Sequence, residues 1–327
     1  MEGAGDPRAK VDGRTQADVR GLLAGVLVAL LVASLGLPIG GAVVTGGSAR
    51  RLVLPAESTD SDPGAFLLAA AEVREQTLGQ WVWGHTFGFS GGLFGTANSV
   101  AASPRSESLS ETASGAWLTA VAVVGPVLEV TAVRARTPAE QAGLLTGDAI
   151  ITIDGRPPMR QTLDLNLATG MTSRLRVYRG GQIFNVDLVP KAPWPQPAGG
   201  GATYLRRLLT SPPPELELGK VRGGSAGLVL ALAYVDVLTV GDLTGHRLIA
   251  ATGALGPGGS VDPVLAYDAK VDASARAGAN FFLMPRADLP TVEPFARGRT
   301  NLVGVSSVKE AVLWLCANGG MSSVCAR

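Results

Sequence analysis

Histidine and cysteine are scarce in this chain of 327 residues, which contains two of each. His85 stands among glycines and aromatic residues, and no second ligand follows at a metal-binding spacing, so no metal site is expected. His246 comes too soon after Ser225 to complete the triad of an α/β-hydrolase, which needs an acid and then a histidine downstream of G-x-S-x-G. Neither Cys316 nor Cys325 precedes a histidine, and this absence argues against a papain-like thiol site.

The chain also lacks a nucleotide-binding loop and any cluster of basic residues. The pattern G-x-x-x-x-G-K-(S/T) does not occur, so binding of ATP is not expected. The net charge is +1, and lysine and arginine are scattered along the sequence. Nucleic acid is therefore a poor candidate partner. We expect the protein to work without a cofactor.

Apolar residues, by contrast, are abundant: they make up 46% of the chain, and the mean hydropathy is +0.26. No charged residue occurs from Gly21 to Ala49, which is longer than the roughly 20 residues that cross a bilayer. We predict a transmembrane helix over residues 21–45. A cleaved signal peptide is the alternative, but its apolar region is usually about 7 to 15 residues long.

Basic residues favour the N-terminal side of this segment. The positive-inside bias places residues 1–20 in the cytoplasm and everything from about residue 46 outside. We therefore predict a single-pass protein of the cell membrane, with an extracytoplasmic connecting region over residues 46–117. In this region the run AFLLAAAEVREQTL predicts a short helix. The basic residues before the segment are Arg8, Lys10, Arg14 and Arg20, and those after it are Arg50 and Arg51.

Residues 118–191 contain short β-rich runs: AVAVVGPVLEVTAV, AIITIDG, LRVYRGG and IFNVDLV. Between the first two lies TPAEQAGLLTGD. A strand, a (Ser/Thr)-Pro-Ala segment, a short helix ending Ala-Gly-Leu and Gly-Asp before I-x-x-I-x-G together resemble a bacterial PDZ domain. The matching residues are Thr137, Pro138, Ala139, Ala142, Gly143, Leu144, Gly147, Asp148, Ile150, Ile153 and Gly155.

The PDZ resemblance implies a groove that captures an extended peptide end by strand addition. Its edge strand would run from Val127 to Val133. The loop around Val124, Gly125 and Pro126 would offer N–H groups to a carboxylate. A closed PDZ domain that only packs against its neighbours is the alternative. The predicted peptide-binding residues are Val124, Gly125, Val127, Leu128 and Val130.

The segment APWPQPAGGGA predicts a linker over residues 192–204, because proline stiffens its first half and glycine loosens its second. A further domain would occupy residues 205–327. Within it, Ser225 stands in Gly-Gly-Ser-Ala-Gly just before an apolar run that predicts a buried helix ending near Leu238. The serine is either a nucleophile at a helix start, where N–H groups are unpaired, or an N-cap.

Several motifs follow Ser225 in order: DxLTxGDLTG, IAxTGxxxxxGxVxPV, a helix with a lysine that ends RAGA, and a strand xFLxP. From about residue 213 to 317 this order resembles the proteolytic domain of Lon proteases. The whole layout is similar to membrane-anchored bacterial PDZ-Lon peptidases. The resemblance implies a Ser-Lys dyad of Ser225 and Lys270, with Thr252 holding the lysine. Related catalytic domains are often hexameric.

The chemistry of such a dyad sets a condition on the lysine. Lysine acts as a base only when neutral, so its pKa must fall from about 10.4 to roughly 7 or 8. On a helix, Asp268 and Asp272 would lie about 160° away from Lys270, so neither would hold the proton on. Backbone N–H groups from Gly224 to Ala226 would stabilise the oxyanion. The face of Lys270 carries Ala266, Tyr267, Ala273 and Ser274.

The sequence thus predicts an α+β protein with an N-terminal transmembrane helix, a β-rich PDZ domain and a Lon-type α+β domain. Its expected activity is ATP-independent serine endopeptidase cleavage of unfolded or flexible polypeptides. The family usually has proline where Gly224 stands and a glycine pair where Leu265 and Ala266 stand. These departures leave a second hypothesis, a membrane-tethered PDZ peptide-binding scaffold with impaired catalysis. Cys316 and Cys325 are a candidate disulfide pair, if this domain lies outside the cytoplasm.

Overall fold

Two compact units divide the chain in this computed structural model: Gly46–Glu72 with Ser103–Arg327, and Met1–Thr45 with Val73–Ala102. Two strands come first along the chain, β1 (Pro38–Arg51) and β2 (Ala65–Thr77). Of the second unit, the described residues are 38–45 and 73–77, and all of them are strand. The structure describes residues 38–52, 65–77, 109–191, 197–209, 211–213, 223–296 and 298–326.

An antiparallel sheet of five strands, in the order β6-β5-β4-β3-β7, occupies residues 127–207. Its strands are β3 (Val127–Val133), β4 (Ala149–Ile153), β5 (Ser173–Arg179), β6 (Gln182–Leu188) and β7 (Ala202–Arg207). Helix α1 (Leu109–Val124) precedes the sheet, and the helices α2 (Pro138–Gln141) and α3 (Arg160–Ala168) lie between its strands along the chain.

One face of the antiparallel sheet has a core of its own. Side chains of a strand point alternately to its two faces, and the inward residues of β5 are Leu175 and Val177. They meet Leu163 and Leu167, which recur at the i, i+4 spacing of a buried helix face on α3. The rest of this core is Leu128, Val130, Ala139, Leu144, Ile150, Ile153, Val186, Leu188 and Ala202.

A second sheet of five strands has the order β1-β2-β8-β11-β12, and its last four strands are parallel. Buried apolar runs such as FFLMP suit its central strands, because helices cover both faces of a parallel sheet. After β1 and β2, its strands are β8 (Leu248–Ala251), β11 (Phe281–Pro285) and β12 (Asn301–Val305). Between β8 and β11, the short strands β9 (Ala254–Leu255) and β10 (Val261–Asp262) form a separate antiparallel pair. The helices are α4 (Gly227–Leu238), α5 (Tyr267–Arg276), α6 (Leu289–Ala296) and α7 (Val308–Ala317).

Helix α4 joins the two sheets through one shared core. It is apolar on all sides and almost entirely buried, as a helix without a polar face must be. The ring of Trp117 on α1 lies 5.2 Å from that of Tyr234 on α4 and 5.4 Å from that of Tyr178 on β5. At the end of α4, Arg176 of β5 donates two hydrogen bonds to the Val237 carbonyl, at 3.2 and 3.0 Å. The antiparallel sheet therefore packs directly on the helix that follows Ser225.

Two local predictions were wrong, one in the connecting region and one at the start of the PDZ region. The predicted helix over AFLLAAAEVREQTL is strand β2, which pairs in parallel with β8 from Ala65 opposite Leu248 to Leu68 opposite Ala251. Small apolar residues fit either state, and the pairing partner decides between them. Residues 120–124, predicted as strand, are the last turns of α1. The helix ends at Val124, and the next residue, Gly125, has φ 85° and donates its N–H to the Val121 carbonyl.

The predicted transmembrane helix is wrong at its C-terminal end, because residues 38–45 belong to strand β1. Residues 21–37 lie outside the described part of the chain. Within that part, no helix combines the length and the hydropathy that a membrane crossing needs. The predicted linker also needs correction, since residues 197–201 form a short turn and residues 202–204 begin β7. The antiparallel sheet therefore extends to Arg207.

The C-terminal tail is tied to α7. The candidate pair Cys316 and Cys325 forms a disulfide, with the two Cα atoms 5.2 Å apart. The tail between them also holds the loop that follows α4, because the N–H of Ser323 donates to the Val240 carbonyl at 2.7 Å. The hydroxyls of Thr239 and Ser322 are 2.6 Å apart and buried. The disulfide therefore secures contacts at the end of α4.

Candidate active site and peptide-binding edge

Ser225 lies in a single 3₁₀ turn, Gly224–Ala226, directly before α4. Gly223 introduces this turn with φ 97°, a left-handed value that glycine adopts without strain. No side chain caps the turn or the helix, so the N-cap interpretation of Ser225 was wrong. Its half-buried hydroxyl remains available for another role.

Ser225, Thr252 and Lys270 meet where three elements converge. The Nζ of Lys270 on α5 donates to Thr252 Oγ1 at 3.2 Å, and Thr252 Oγ1 donates to the Ser225 carbonyl at 3.1 Å. The same carbonyl accepts the N–H of Gly253 at 3.0 Å. Thr252 follows β8, so the end of a parallel strand joins the lysine helix to the start of α4.

The amine of Lys270 is buried among uncharged groups. The residue is 3% exposed, and burial lowers its pKa to about 8. Across the described residues no ion pair reaches it. Asp272, on the same helix, binds Arg276 and Arg299 instead. A substantial fraction of this amine is therefore neutral near pH 8.

The arrangement suits proton transfer from a serine to a lysine. In the described part of the chain no hydrogen bond yet joins Nζ to the Ser225 hydroxyl. Such bonds often form only when substrate is bound. N–H groups at Gly224 and Ala226 lie at the positive end of the α4 dipole, where an oxyanion is stabilised. Acyl transfer to Ser225, with Lys270 as base, is the chemistry that these groups can perform.

The positions that depart from the Lon-type pattern have distinct backbones. Ala266 caps α5 in the left-handed region, at φ 60° and ψ 45°, where glycine is favoured. Leu265 is 42% exposed. Gly224 is helical and follows Gly223 at ψ 156°, a backbone that accepts proline at position 224. The backbone is therefore strained at Ala266 but not at Gly224.

The predicted peptide-binding edge was wrong, because β3 is an interior strand. It pairs with β4 on one side and with β7 on the other, from Val127 opposite Arg207 to Val133 opposite Ala202. The predicted groove residues Val127, Leu128 and Val130 are all buried in the folded sheet. Val124 is also buried, at the end of α1, and the N–H of Gly125 is already bonded to that helix. None of the five lines an open edge.

Strand β7 forms the edge next to β3. No described strand pairs with its outer side. Its inner side is fixed to β3 by an ion pair between Arg207 and Glu129 and by the hydroxyls of Thr203 and Thr131, 2.8 Å apart. The turn Ala198–Gly201 precedes it. A Cβ at Gly201 would lie 2.4 Å from the side chain of Thr137, so only glycine fits there.

A family model for the PDZ domain matches residues 129–166, from β3 into α3. A PDZ domain is present. No curated protein matches the chain. Within the matched segment, Asp148 is buried and accepts the N–H of Leu145 at 2.8 Å. Its carboxylate also binds Arg179 of β5, and this pairing raises the pKa of the arginine.

The PDZ domain places its candidate edge outside the matched segment. Sequence reasoning missed β7 because Gly199, Gly200 and Gly201 resemble a linker and the strand pairs with a partner about seventy residues earlier. The signal that was available is the short run ATYLRR, which alternates apolar and polar residues in its first three positions.

Proposed function

We propose that this protein is an ATP-independent serine endopeptidase with a Ser225-Lys270 dyad, and that its PDZ domain binds polypeptide substrates along β7. One observation carries the proposal: a buried amine with a pKa of about 8 is bonded to a threonine that also holds the backbone of Ser225. Burying a lysine amine without a charge partner costs solvation free energy, and a purely structural role does not require that cost. The order of motifs along the chain adds independent support.

In the proposed reaction the neutral Nζ of Lys270 takes the proton of the Ser225 hydroxyl as the oxygen attacks the scissile carbonyl. Backbone N–H groups from Gly224 to Ala226 stabilise the oxyanion. The protonated lysine then gives its proton to the leaving amine, and water hydrolyses the acyl-enzyme with Lys270 again as base. Thr252 keeps Nζ directed toward the turn that carries the serine.

The test is cleavage of casein, an unfolded protein, by the full chain without ATP. Ser225→Ala, Lys270→Met and Lys270→Arg should each abolish cleavage, because arginine stays protonated and methionine has no base. Lys309→Met, a change at an exposed lysine on α7, is the matched control and should keep wild-type activity. The wild-type rate should rise with pH around a midpoint near 8, the pKa of Lys270. Cleavage that survives Ser225→Ala would exclude this site.

We also propose that the PDZ domain and the domain that carries Ser225 and Lys270 lie outside the cytoplasm. The uncharged segment that begins at Gly21 would anchor them to the membrane. The disulfide of Cys316 and Cys325 supports this placement, because disulfides persist in oxidising compartments. Protease added to spheroplasts should digest the chain beyond about residue 50 and spare the first twenty residues. If the protease digested neither part, the proposed topology would be wrong. The resemblance to Lon-type domains further suggests a hexamer, which sedimentation would test.

A peptide-binding scaffold is the second candidate, favoured by the PDZ domain and by the missing bond between Nζ and the Ser225 hydroxyl. The casein assay separates the two, since a scaffold cleaves nothing in any variant. Deleting residues 121–190 would not separate them. That deletion removes Tyr178 and Arg176 from the core around α4, so the loss of activity would follow from unfolding.

A further inference from the structure

The turn before β7 has few backbone N–H groups left for a ligand. Gly199 donates its N–H to Asp164 Oδ1 of α3, and Gly200 donates to the Pro197 carbonyl at 3.0 Å. Ala202 donates to the carbonyl of Gly199. The Tyr204 hydroxyl binds the same carbonyl at 2.7 Å and braces the turn. Three of the amides that could have met a carboxylate are therefore already paired.

The carboxylate of Asp164 adds a charge to this closed turn. Its side chain is 38% exposed, and its Oδ2 lies 3.5 Å from the Nε of Arg160, one turn earlier on α3. The carboxylate of Asp164 thus already accepts the N–H of Gly199, and Arg160 already pairs with this carboxylate. A second carboxylate brought to the same amide would be repelled, since like charges a few ångströms apart disfavour each other.

The outer side of β7, by contrast, has the features of a strand-addition edge. An antiparallel strand directs alternate backbone groups outward, and no described strand receives those of β7. Leu205 is 52% exposed, and Arg206 beside it is exposed as well. Pairing along such an edge uses the backbone of the incoming chain and does not require its terminus.

We infer that β7 binds internal, extended segments of a polypeptide and does not read a free C-terminal carboxylate. The inference rests on the proposed peptide-binding function of the PDZ domain. It also agrees with an endopeptidase, because an unfolded protein offers many internal segments and a single C-terminus. Asp164 is the residue that excludes the terminal carboxylate.

The experiment uses the full chain with Ser225→Ala, so that bound peptides stay intact. Fluorescent ten-residue peptides from the casein sequence are each made as the free acid and as the C-terminal amide, and binding is measured by polarisation. The two forms should bind within twofold of each other. Hydrogen exchange of the complex should show new protection over residues 202–207 and none over the other sheet edge, β6. Asp164→Ala frees the amide of Gly199 and should create a roughly tenfold preference for the free acid.

Asp164→Asn is the matched control, because it removes the charge but keeps an oxygen for the Gly199 amide, and its preference should be intermediate. The inference would be overturned if the free-acid peptides bound more than tenfold tighter than the amide peptides to the chain that keeps Asp164. Protection over β6 and not β7 would overturn it as well, and so would an Asp164→Ala variant without any gain in preference. If neither form of any peptide binds, peptide binding by this PDZ domain is itself refuted.

Discussion

The stability of the protein should depend on pH through Lys270. Burial holds the pKa of this amine at about 8, whereas an unfolded lysine titrates near 10.5. Between these values the unfolded chain binds more protons than the folded chain, so stability rises with pH from about 8 to about 10.5. Below pH 8 both states are protonated and the penalty for burying the charge is constant. The shift of roughly 2.5 pH units corresponds to about 3 kcal/mol.

Replacing Lys270 with methionine removes the penalty without shortening the side chain much. At pH 7 Lys270→Met should therefore be more stable than wild type, and its advantage should fall by about 3 kcal/mol as the pH rises to 10.5. Urea unfolding at pH 7, 8.5 and 10, followed by tryptophan fluorescence, measures this difference. Both proteins contain the same tyrosines and disulfide, so other titrations cancel. Lys309→Met controls for the loss of any lysine.

A second measurement addresses the amine directly. The chain has only five lysines, so NMR of isotope-labelled lysine side chains can resolve each titration. The resonance that Lys270→Met removes should titrate near pH 8. Equal pH dependence of unfolding in the variant and the wild type, or a Lys270 midpoint near 10.5, would refute the argument that this amine is buried without a charge partner.

Three further substitutions test the backbone and the tail. Ala266→Gly relieves a left-handed alanine and should raise stability by about 1 kcal/mol in urea unfolding; a loss would show that no strain exists there. Gly224→Pro should be tolerated by the fold, with unchanged or slightly higher melting temperature, since Gly223 already has ψ 156°. Casein cleavage should fall, because proline has no N–H and so removes one of the proposed oxyanion donors. Cys316→Ala opens the loop to Cys325 and should cost about 2 to 3 kcal/mol by the same unfolding assay; reducing agent should then have no further effect on the variant.

Much of the candidate active site could be predicted from sequence because its signals are local. The apolar run after Ser225 fixes a fully buried helix, and the helix, strand and hairpin after it lie where the motifs indicate. Lys270 lies on a helix face without acids, as helical periodicity requires. The contact of Lys270 with Thr252 brings together groups eighteen residues apart, and the resemblance to a known motif order pointed to it.

The errors came where distant pairing decides the structure. Strand β2 has the composition of a helix, and only its alignment beside β8, about 180 residues later, makes it a strand. Strand β7 follows a glycine run that resembles a linker, and its identity depends on β3. The end of α1 was read as strand because valine favours strands, yet Gly125 and packing on α4 make those valines helical. Local composition holds no information about such partners.

The shared core around α4 bears on how this chain could evolve. Trp117, Tyr178 and Tyr234 come from three separate segments and fill one space, so none can change size alone without leaving a void or a clash. A foreign PDZ domain spliced in at residue 127 would bring no Tyr178 and no Arg176 to meet the helix. Exchange of the whole PDZ domain would therefore disrupt this core. Under the proposed function, a change in partner preference would come through substitutions along the exposed side of β7.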